Sequence, residues 1–498
     1  MSMRAPAVHG SATAKMSASV VYLMIAIPLL TVEQGAEGRL ATAMRTSGTT
    51  ESGRGLAIQT SPIGKRYLTY DGAPLFAFGP GDEARLLSGT ADLERWAAWQ
   101  RAHGMNLVRA YAMSVPAQTW GDATPGCDPF LQSDGKWDVD GWNDDYFDHL
   151  RRVAHYLEKH NIILHLQLWQ ICSFKNGSDR WDANFLNPAN NVNQWTRVFN
   201  SGQDYIDAPP ESYARRHQRE WVRRILDAVN GRGNVIIDVI NELGNQMGTL
   251  EWAREVVTWI REWECENDWT FIVGVDSEKH YAPGRFEPYQ DVLDIIILNE
   301  LRSRSHAIST IERLKMPAVS VRSSDGTNRR EDVLFADSSQ TGPEHQTRYR
   351  TLCYRSMFSG LQSVGAYWKM PTTDYERMDL WNDSARALRA FWNLISPHWP
   401  ELVIDDAVVV EPVAPHAYAM RSPKLSAVYL ECGSHTWAND YPESTLVLCS
   451  LYPSFRVTLF DTKTGASTPL ASQSHGGLVR VNLPSFTDDV ALLLVPTE

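Results

Sequence analysis

The sequence predicts a (β/α)₈ TIM barrel followed by a C-terminal antiparallel β-sandwich. Three observations carry that prediction. Short β-branched apolar runs alternate with amphipathic helical segments from residue 74 to residue 394, the pattern of a parallel sheet covered by helices. One run, Val235 to Ile240, is apolar apart from Asp238 and ends abruptly in Asn241-Glu242. Polar residues at the carboxyl end of a buried parallel strand sit where barrel enzymes place their chemistry. Past about Pro400 the helical spacing stops, and short strands separated by turn residues take over, as in a small β-sandwich.

The elements follow in order. Pro74 to Gly79 reads as the first strand, Asp92 to His103 as a helix, and Met105 to Met113 as the second strand. Asp145 to His160 places Tyr146, Phe147, Leu150, Val153, Ala154 and Leu157 at helical spacing. Ile162 to Trp169 is the third strand. Ser212 to Asn230 is a helix with Trp221, Ile225, Leu226 and Val229 on one face. The fourth strand, Val235 to Asn241, is bounded by Gly231, Gly233 and Gly244. A helix from Leu250 to Asn267 precedes strands at Thr270–Val275, Leu293–Asn299 and Pro317–Val321. A helix over Glu344–Ser359, a strand over Ser363–Trp368 and a helix over Asn382–Leu394 complete the barrel. The runs 427–430, 446–448, 456–459 and 490–494 supply the sandwich strands.

The expected organisation is a signal-like segment over residues 1–36, a linker over 37–60, the barrel over 61–398 and the sandwich over 399–498. Val20 to Leu30 is an eleven-residue apolar run preceded by Arg4 and Lys15. That length suits a signal peptide better than a membrane span. It implies a secreted or periplasmic protein with no stable membrane insertion after signal removal. The net charge of -12 and the sequence pI near 5.6 argue against nucleic acid as a partner, which needs a basic surface. Both are compatible with a neutral substrate. Six cysteines occur and none forms a CxxC pair, which speaks against zinc; no metal or other cofactor is implied. Cys127 with Cys172 and Cys432 with Cys449 are the pairings considered, beside six buried thiols. The 18 tryptophans mostly suit large cores. Trp120, Trp169, Trp181 and Trp368, in loops or at strand ends, are the candidates for sugar platforms.

With these parts in this order, the chain resembles the large clan of retaining glycoside hydrolases built on (β/α)₈ barrels. Those families end strand four in Asn-Glu, matched here by Asn241 and Glu242. The resemblance implies that Glu242 is the general acid/base and that Asn241 contacts the sugar 2-hydroxyl. Arg109, after Gly104-Met105-Asn106, resembles the clan's strand-two arginine that steadies the carboxylates. Trp368 resembles its strand-eight tryptophan platform. The segment Pro74 to Asp82 is similar to the first strand of bacterial barrel hydrolases. The implied activity is hydrolysis of the O-glycosidic bonds of a β-linked oligo- or polysaccharide. Independently of any family, glycoside cleavage needs a carboxyl group protonated near neutral pH. Burial beside a second carboxylate raises an acid's pKa in that way. The competing role for Glu242 is a capping or salt-bridged carboxylate.

The departure from the clan lies on strand seven, where Pro317-Ala318-Val319-Ser320-Val321-Arg322-Ser323-Ser324-Asp325-Gly326 has no Glu. Asp325 in a shifted loop is one candidate second carboxylate. Glu300 is the preferred one, because Ile295 to Glu300 repeats strand four as an apolar run ending in Asn-Glu. An ion pair with Arg302, Arg304 or Arg322 is the alternative role for Glu300. The third possibility is a non-catalytic carbohydrate-binding barrel that has lost its nucleophile. His165 and Gln167 alternate with Leu164, Leu166 and Leu168, so they share a face expected to point into the barrel. Trp169 and Gln170, at the end of that strand, are expected near substrate. Asp276 and His280 after strand five, and His306 after strand six, read as loop residues.

Overall fold

The computed structural model describes residues 54–80, 84–87, 92–113, 127–174, 179–244, 248–277, 284–300, 303–322, 343–366, 382–431, 440–449 and 452–497. Eight parallel strands form one sheet. They are β1 (Ala77–Pro80), β2 (Leu107–Met113), β3 (Ile163–Trp169), β4 (Val235–Ile240), β5 (Ile272–Asp276), β6 (Ile295–Glu300), β7 (Ala318–Arg322) and β8 (Ser363–Ala366). Their order around the sheet is β1-β8-β7-β6-β5-β4-β3-β2. The seam between β1 and β2 is joined by Asn106, whose backbone N–H donates to Phe78 O at 3.0 Å. Its side-chain oxygen accepts from Phe78 N at 3.1 Å. A Cβ on Gly79 would lie 2.0 Å from Leu107 O, so the seam closes only with glycine there.

Helices run back along the outside: α1 (Leu93–Ala102), α2 (Asp144–Lys159), α3 (Tyr213–Val229), α4 (Leu250–Asn267), α5 (Arg304–Leu314), α6 (Pro343–Met357) and α7 (Asn382–Ile395). Each of α1 to α5 begins at a side-chain cap. Asp92, Asn143, Ser212, Thr249 and Ser303 accept from the backbone N–H groups of Arg95, Asp145, Arg215, Trp252 and His306, donors that a helix start leaves unpaired. The outer strand faces and inner helix faces form one apolar core. A second cluster fills the amino-terminal end of the barrel. It comprises Leu107, Ile163, Ile236, Ile295, Ile297 and Val319, closed from below by Leu68 and Leu75. Leu68 belongs to the hairpin Leu56–Thr60/Arg66–Tyr70, so part of the segment expected as linker is a strand against the barrel floor. Gln362 fixes that floor, accepting from Leu68 N at 2.7 Å and donating to Leu68 O and Leu75 O.

A hairpin and helix α5 are among the elements that lie where none was expected. Phe130–Ser133 and Lys136–Trp142 form a hairpin, turned at Asp134-Gly135, both at positive φ. Asp-Gly is the usual signal for that turn. Helix α5 follows β6 directly. The hairpin and α3 enclose an aromatic cluster in which the Trp221 ring meets Trp142, Phe130, Tyr146 and Phe147.

Beyond α7, a six-stranded sheet includes His416–Arg421, Ser426–Glu431, Asp489–Pro496 and Phe455–Phe460, and a four-stranded sheet includes Ser444–Cys449 and Leu478–Leu483. Their facing residues form a separate apolar core. This sandwich is fastened to the barrel by buried charge. Arg350 of α6 donates to Asp489 at 2.5 and 2.9 Å, both side chains being 2% exposed or less. Tyr429 Oη donates to the same carboxylate at 3.1 Å. Arg355 donates to Glu431 at 2.7 Å. Cys127, Cys265, Cys353 and Cys449 are free thiols, so neither pairing considered above is formed. Among the described residues, no helix is long and apolar enough to cross a membrane.

Two outcomes follow. Removing one member of a buried pair leaves the other charge uncompensated, at a cost of about 3–5 kcal/mol. Arg350→Met is expected to lower stability by that amount in denaturant unfolding, while an exposed control such as Arg151→Met stays near wild type. The second concerns His217, inside the aromatic cluster. Its Nε2 is 2.7 Å from Val139 O and its Nδ1 3.0 Å from the Tyr205 hydroxyl, a set that suits the neutral ring. Burial pulls His217 from 6.5 down to about 4. Between those values the unfolded chain binds more protons than the folded one, so stability is full above pH 6.5 and falls as pH drops toward 4. The loss from this residue is up to about 3 kcal/mol. Urea midpoints of wild type should therefore fall more steeply over that range than those of His217→Gln; parallel curves would refute the assignment.

Candidate functional site

The site is built at the carboxyl ends of β2 to β5. Strand alternation sends Arg109 and Tyr111 of β2, His165 and Gln167 of β3, and Asp238 of β4 to the barrel interior, above the apolar floor. The register places Arg109 beside His165 and Tyr111 beside Gln167, and Gln167 beside Asp238. These polar groups are nearly inaccessible to solvent, and such groups persist only when hydrogen-bonded. They bond one another. Asp238 Oδ2 accepts from Gln167 Nε2 at 2.7 Å and lies 3.1 Å from His165 Nε2. Its other oxygen accepts from the backbone N–H of Asp276 at 3.0 Å. Burial lowers the pKa of His165, against the opposing pull of Asp238, so the ring is neutral and donates its Nε2–H to that carboxylate.

The second half of the network turns on Arg109. Its Nη2 donates to Asn241 Oδ1 at 2.7 Å and to Asp276 Oδ2 at 3.2 Å. Its Nη1 donates to the Tyr111 hydroxyl at 3.2 Å, and the guanidinium lies 5.0 Å from the Tyr111 ring centre. Asp276 ends β5 and is fully buried, which corrects its reading as a loop residue. The signal was present in the sequence: like Asn241, Asp276 directly follows an apolar strand. Asp238 and Tyr111 are likewise members of the network that were not singled out beforehand as site residues.

Asn241 and Glu242 lie in the turn that leaves β4. Glu242 has φ +55°, a left-handed conformation that costs a residue with a side chain on the order of 1–3 kcal/mol. Its neighbours hold it there. Asn241 N donates to Trp169 O at 3.1 Å, and Leu243 N to Asp276 O at 2.8 Å. The turn is thus clamped between the ends of β3 and β5. Asn241 is buried while Glu242 is partly exposed, so the first anchors and the second is presented at the rim. The arrangement sets a partly exposed glutamate beside a buried amide, with a fixed cation and two buried carboxylates in the same network.

The remaining expected site residues are distributed as follows. Trp169 is fully buried, 5.4 Å from Trp252 between ring centres, and Trp181 is also buried; both have the core role assigned to most tryptophans of this chain. Glu300 ends β6 in register with Arg322 of β7. Arg304 pairs with Asp406 of the sandwich. The Glu300 side chain, and Trp120, His280, Asp325 and Trp368, lie outside the described residues. Among the described residues, no group of three or more His, Cys, Asp or Glu is arranged to hold a metal ion.

Comparison with solved structures places this architecture among known barrels. A candidate glycoside hydrolase from Bacteroides vulgatus ATCC 8482 superposes with a TM-score of 0.59 at 13% identity, over 91% of this chain and 84% of that one. A glycoside hydrolase family 5 structure from the same organism gives 0.55 at 14% identity, over 89% and 93%. Both share the fold, and at such identities the likeness extends to the fold alone. No protein-family model and no curated protein sequence matches this chain.

The forked contact of Arg109 is open to direct test. A lysine offers a point charge that cannot reproduce the planar fork, and a hydrogen bond to a charged group is worth about 1.5–3 kcal/mol. Arg109→Lys is expected to lower the unfolding free energy by about 2 kcal/mol. An unchanged denaturation midpoint would show that the fork contributes no stability.

Proposed function

We propose that this protein is an exported glycoside hydrolase acting on the O-glycosidic bonds of a β-linked oligo- or polysaccharide. The observation that carries the proposal is the Asn241–Glu242 turn at the carboxyl end of β4, with Arg109 joining Asn241 to Asp276 beneath it. In this reading Glu242 protonates the leaving oxygen and then activates water. Asn241, its amide oxygen fixed by Arg109, turns its amide nitrogen to the sugar 2-hydroxyl. Glu300 is the preferred second carboxylate and Asp325 the other candidate. A carboxyl separation of about 5–5.5 Å would give retention and about 6.5–9.5 Å inversion. Trp368 serves as a platform under the sugar. Export is supported by the apolar run Val20 to Leu30 behind Arg4 and Lys15.

One sequence feature favours a second reading, a carbohydrate-binding barrel without turnover: strand seven lacks the glutamate that the resembling families use there. A panel of aryl β-glycosides separates the two. General acid/base assistance contributes about 10²–10⁴-fold. Glu242→Gln is therefore expected to lower kcat/KM by that factor, with Glu300→Gln or Asp325→Asn lowering it comparably. Turnover that survives Glu242→Gln would overturn the assignment of Glu242. Glycan binding with no turnover by wild type would establish the second reading.

A further inference from the structure

An open cleft of about 500 Å³ lies between the start of α3 and the segment that joins β3 to it, within the range of ligand sites, about 300–1,000 Å³. Because that segment leaves the carboxyl end of β3, the cleft is at the same end of the barrel as Asn241 and Glu242. Asp207 on its wall accepts from Gly248 N at 2.9 Å, which ties it to the loop leaving Glu242. Aromatic and apolar groups stand partly in solvent here. Tyr213 is 46% and Val198 73% exposed, and Trp195 is half-buried between them and Phe199.

The rings are fixed before any ligand arrives. Asp140 accepts the Trp195 indole N–H at 3.0 Å, and the Arg216 guanidinium lies 5.4 Å from the Tyr213 ring centre. Asp140 is itself held by Asn193 Nδ2 at 2.9 Å. The Trp195 ring lies 5.1 Å from both Tyr213 and His217. Rigid rings with polar handles give contact area at little cost in conformational freedom. The polar lining consists of groups suited to hydroxyls. Asp207 takes Gln203 Nε2 at 3.0 Å besides Gly248 N, and a carboxylate accepts about four hydrogen bonds. Ser212 adds a hydroxyl. No lysine or arginine is among the lining residues, while Asp204 and Asp207 are; Arg216 stands behind the wall, against the Tyr213 ring, so the lining itself is acidic and disfavours an anionic ligand. Ring faces for C–H surfaces, with neutral and acidic acceptors at the edge, describe a site for an uncharged polyol ring.

We propose that this cleft is an ancillary binding site for a neutral glycan chain, separate from the barrel mouth. The inference rests on the carbohydrate reading of the protein. It gives the enzyme a second grip on a polymer while leaving short substrates unaffected.

The test uses the full chain in a Glu242→Gln background, run in native gels containing a soluble β-glucan, β-mannan or xylan. One of the three should retard the protein. Tyr213→Ala and Val198→Asp, both at exposed positions, should each weaken retention about five- to tenfold, the first by removing an aromatic contact and the second by setting a charge on the apolar wall. With Glu242 intact, the same substitutions should leave aryl glycoside turnover within about twofold of wild type. Val198→Asp guards against loss of folding, and equal thermal midpoints verify it. Retention undiminished in both variants, or retardation by none of the three polymers, overturns the proposal. Aryl glycoside turnover without polymer retention would refute the cleft alone. Cleft-dependent retention without turnover would refute the hydrolase reading and leave the cleft standing.

Discussion

The contact between Arg109 and its partners is the constraint on which the site depends. A guanidinium taken fully out of water costs several kcal/mol unless its donors are met. Here it is met by an amide from the turn after β4, a carboxylate from β5 and a phenol from its own strand. The cation therefore fixes the relative positions of the strand ends. Asn241 cannot rotate without leaving a donor of Arg109 unmatched, and Asp276 cannot withdraw without leaving two opposite charges buried apart. The beginning of the turn that carries Glu242 is positioned by this electrostatic knot as much as by the sheet.

Beneath it, Asp238 plays a similar part with neutral partners. One oxygen gathers Gln167 and His165, and the other holds the backbone of β5. The two halves meet at Asp276, whose side chain accepts from Arg109 and whose backbone N–H donates to Asp238. Four consecutive strands are thus linked through polar side chains in the region where their carbonyl ends open toward solvent. A glutamate in the left-handed region at this point is consistent with such over-determination, since its flanking residues hydrogen-bond both neighbouring strands. Strain of this kind persists where the surroundings permit no relaxation.

Much of this was legible in the sequence, and the reasons differ by element. The strands of the barrel were visible because fully buried parallel strands are nearly continuous apolar runs, and their helices because one face of each is apolar at 3.6-residue spacing. Asn241 and Glu242 stood out because they interrupt an apolar pattern at a strand's end. Asp276 does the same, yet a single acid before Ser277 looks like the beginning of a loop; only the guanidinium from β2, 167 positions away, makes it a site residue. The hairpin at Asp134-Gly135 leaves little trace in the sequence because its strands are short and mixed in polarity. Helix α5 was obscured by its polar first turn, Arg304-Ser305-His306. Trp169 shows the converse limit: a ring at a strand end has the same sequence signature whether it faces ligand or packs on Trp252.

The join between barrel and sandwich bears on how such a chain could have arisen. Arg350 and Asp489 are 139 positions apart and satisfy each other only when both are present. A barrel parted from its sandwich would open the apolar face around Tyr429, Phe460 and Leu493 to water, and a sandwich grafted onto another barrel would bury Asp489 without its cation. Recombination at the junction would thus be penalised from either side. One buried ion pair ties the fate of each half to the other.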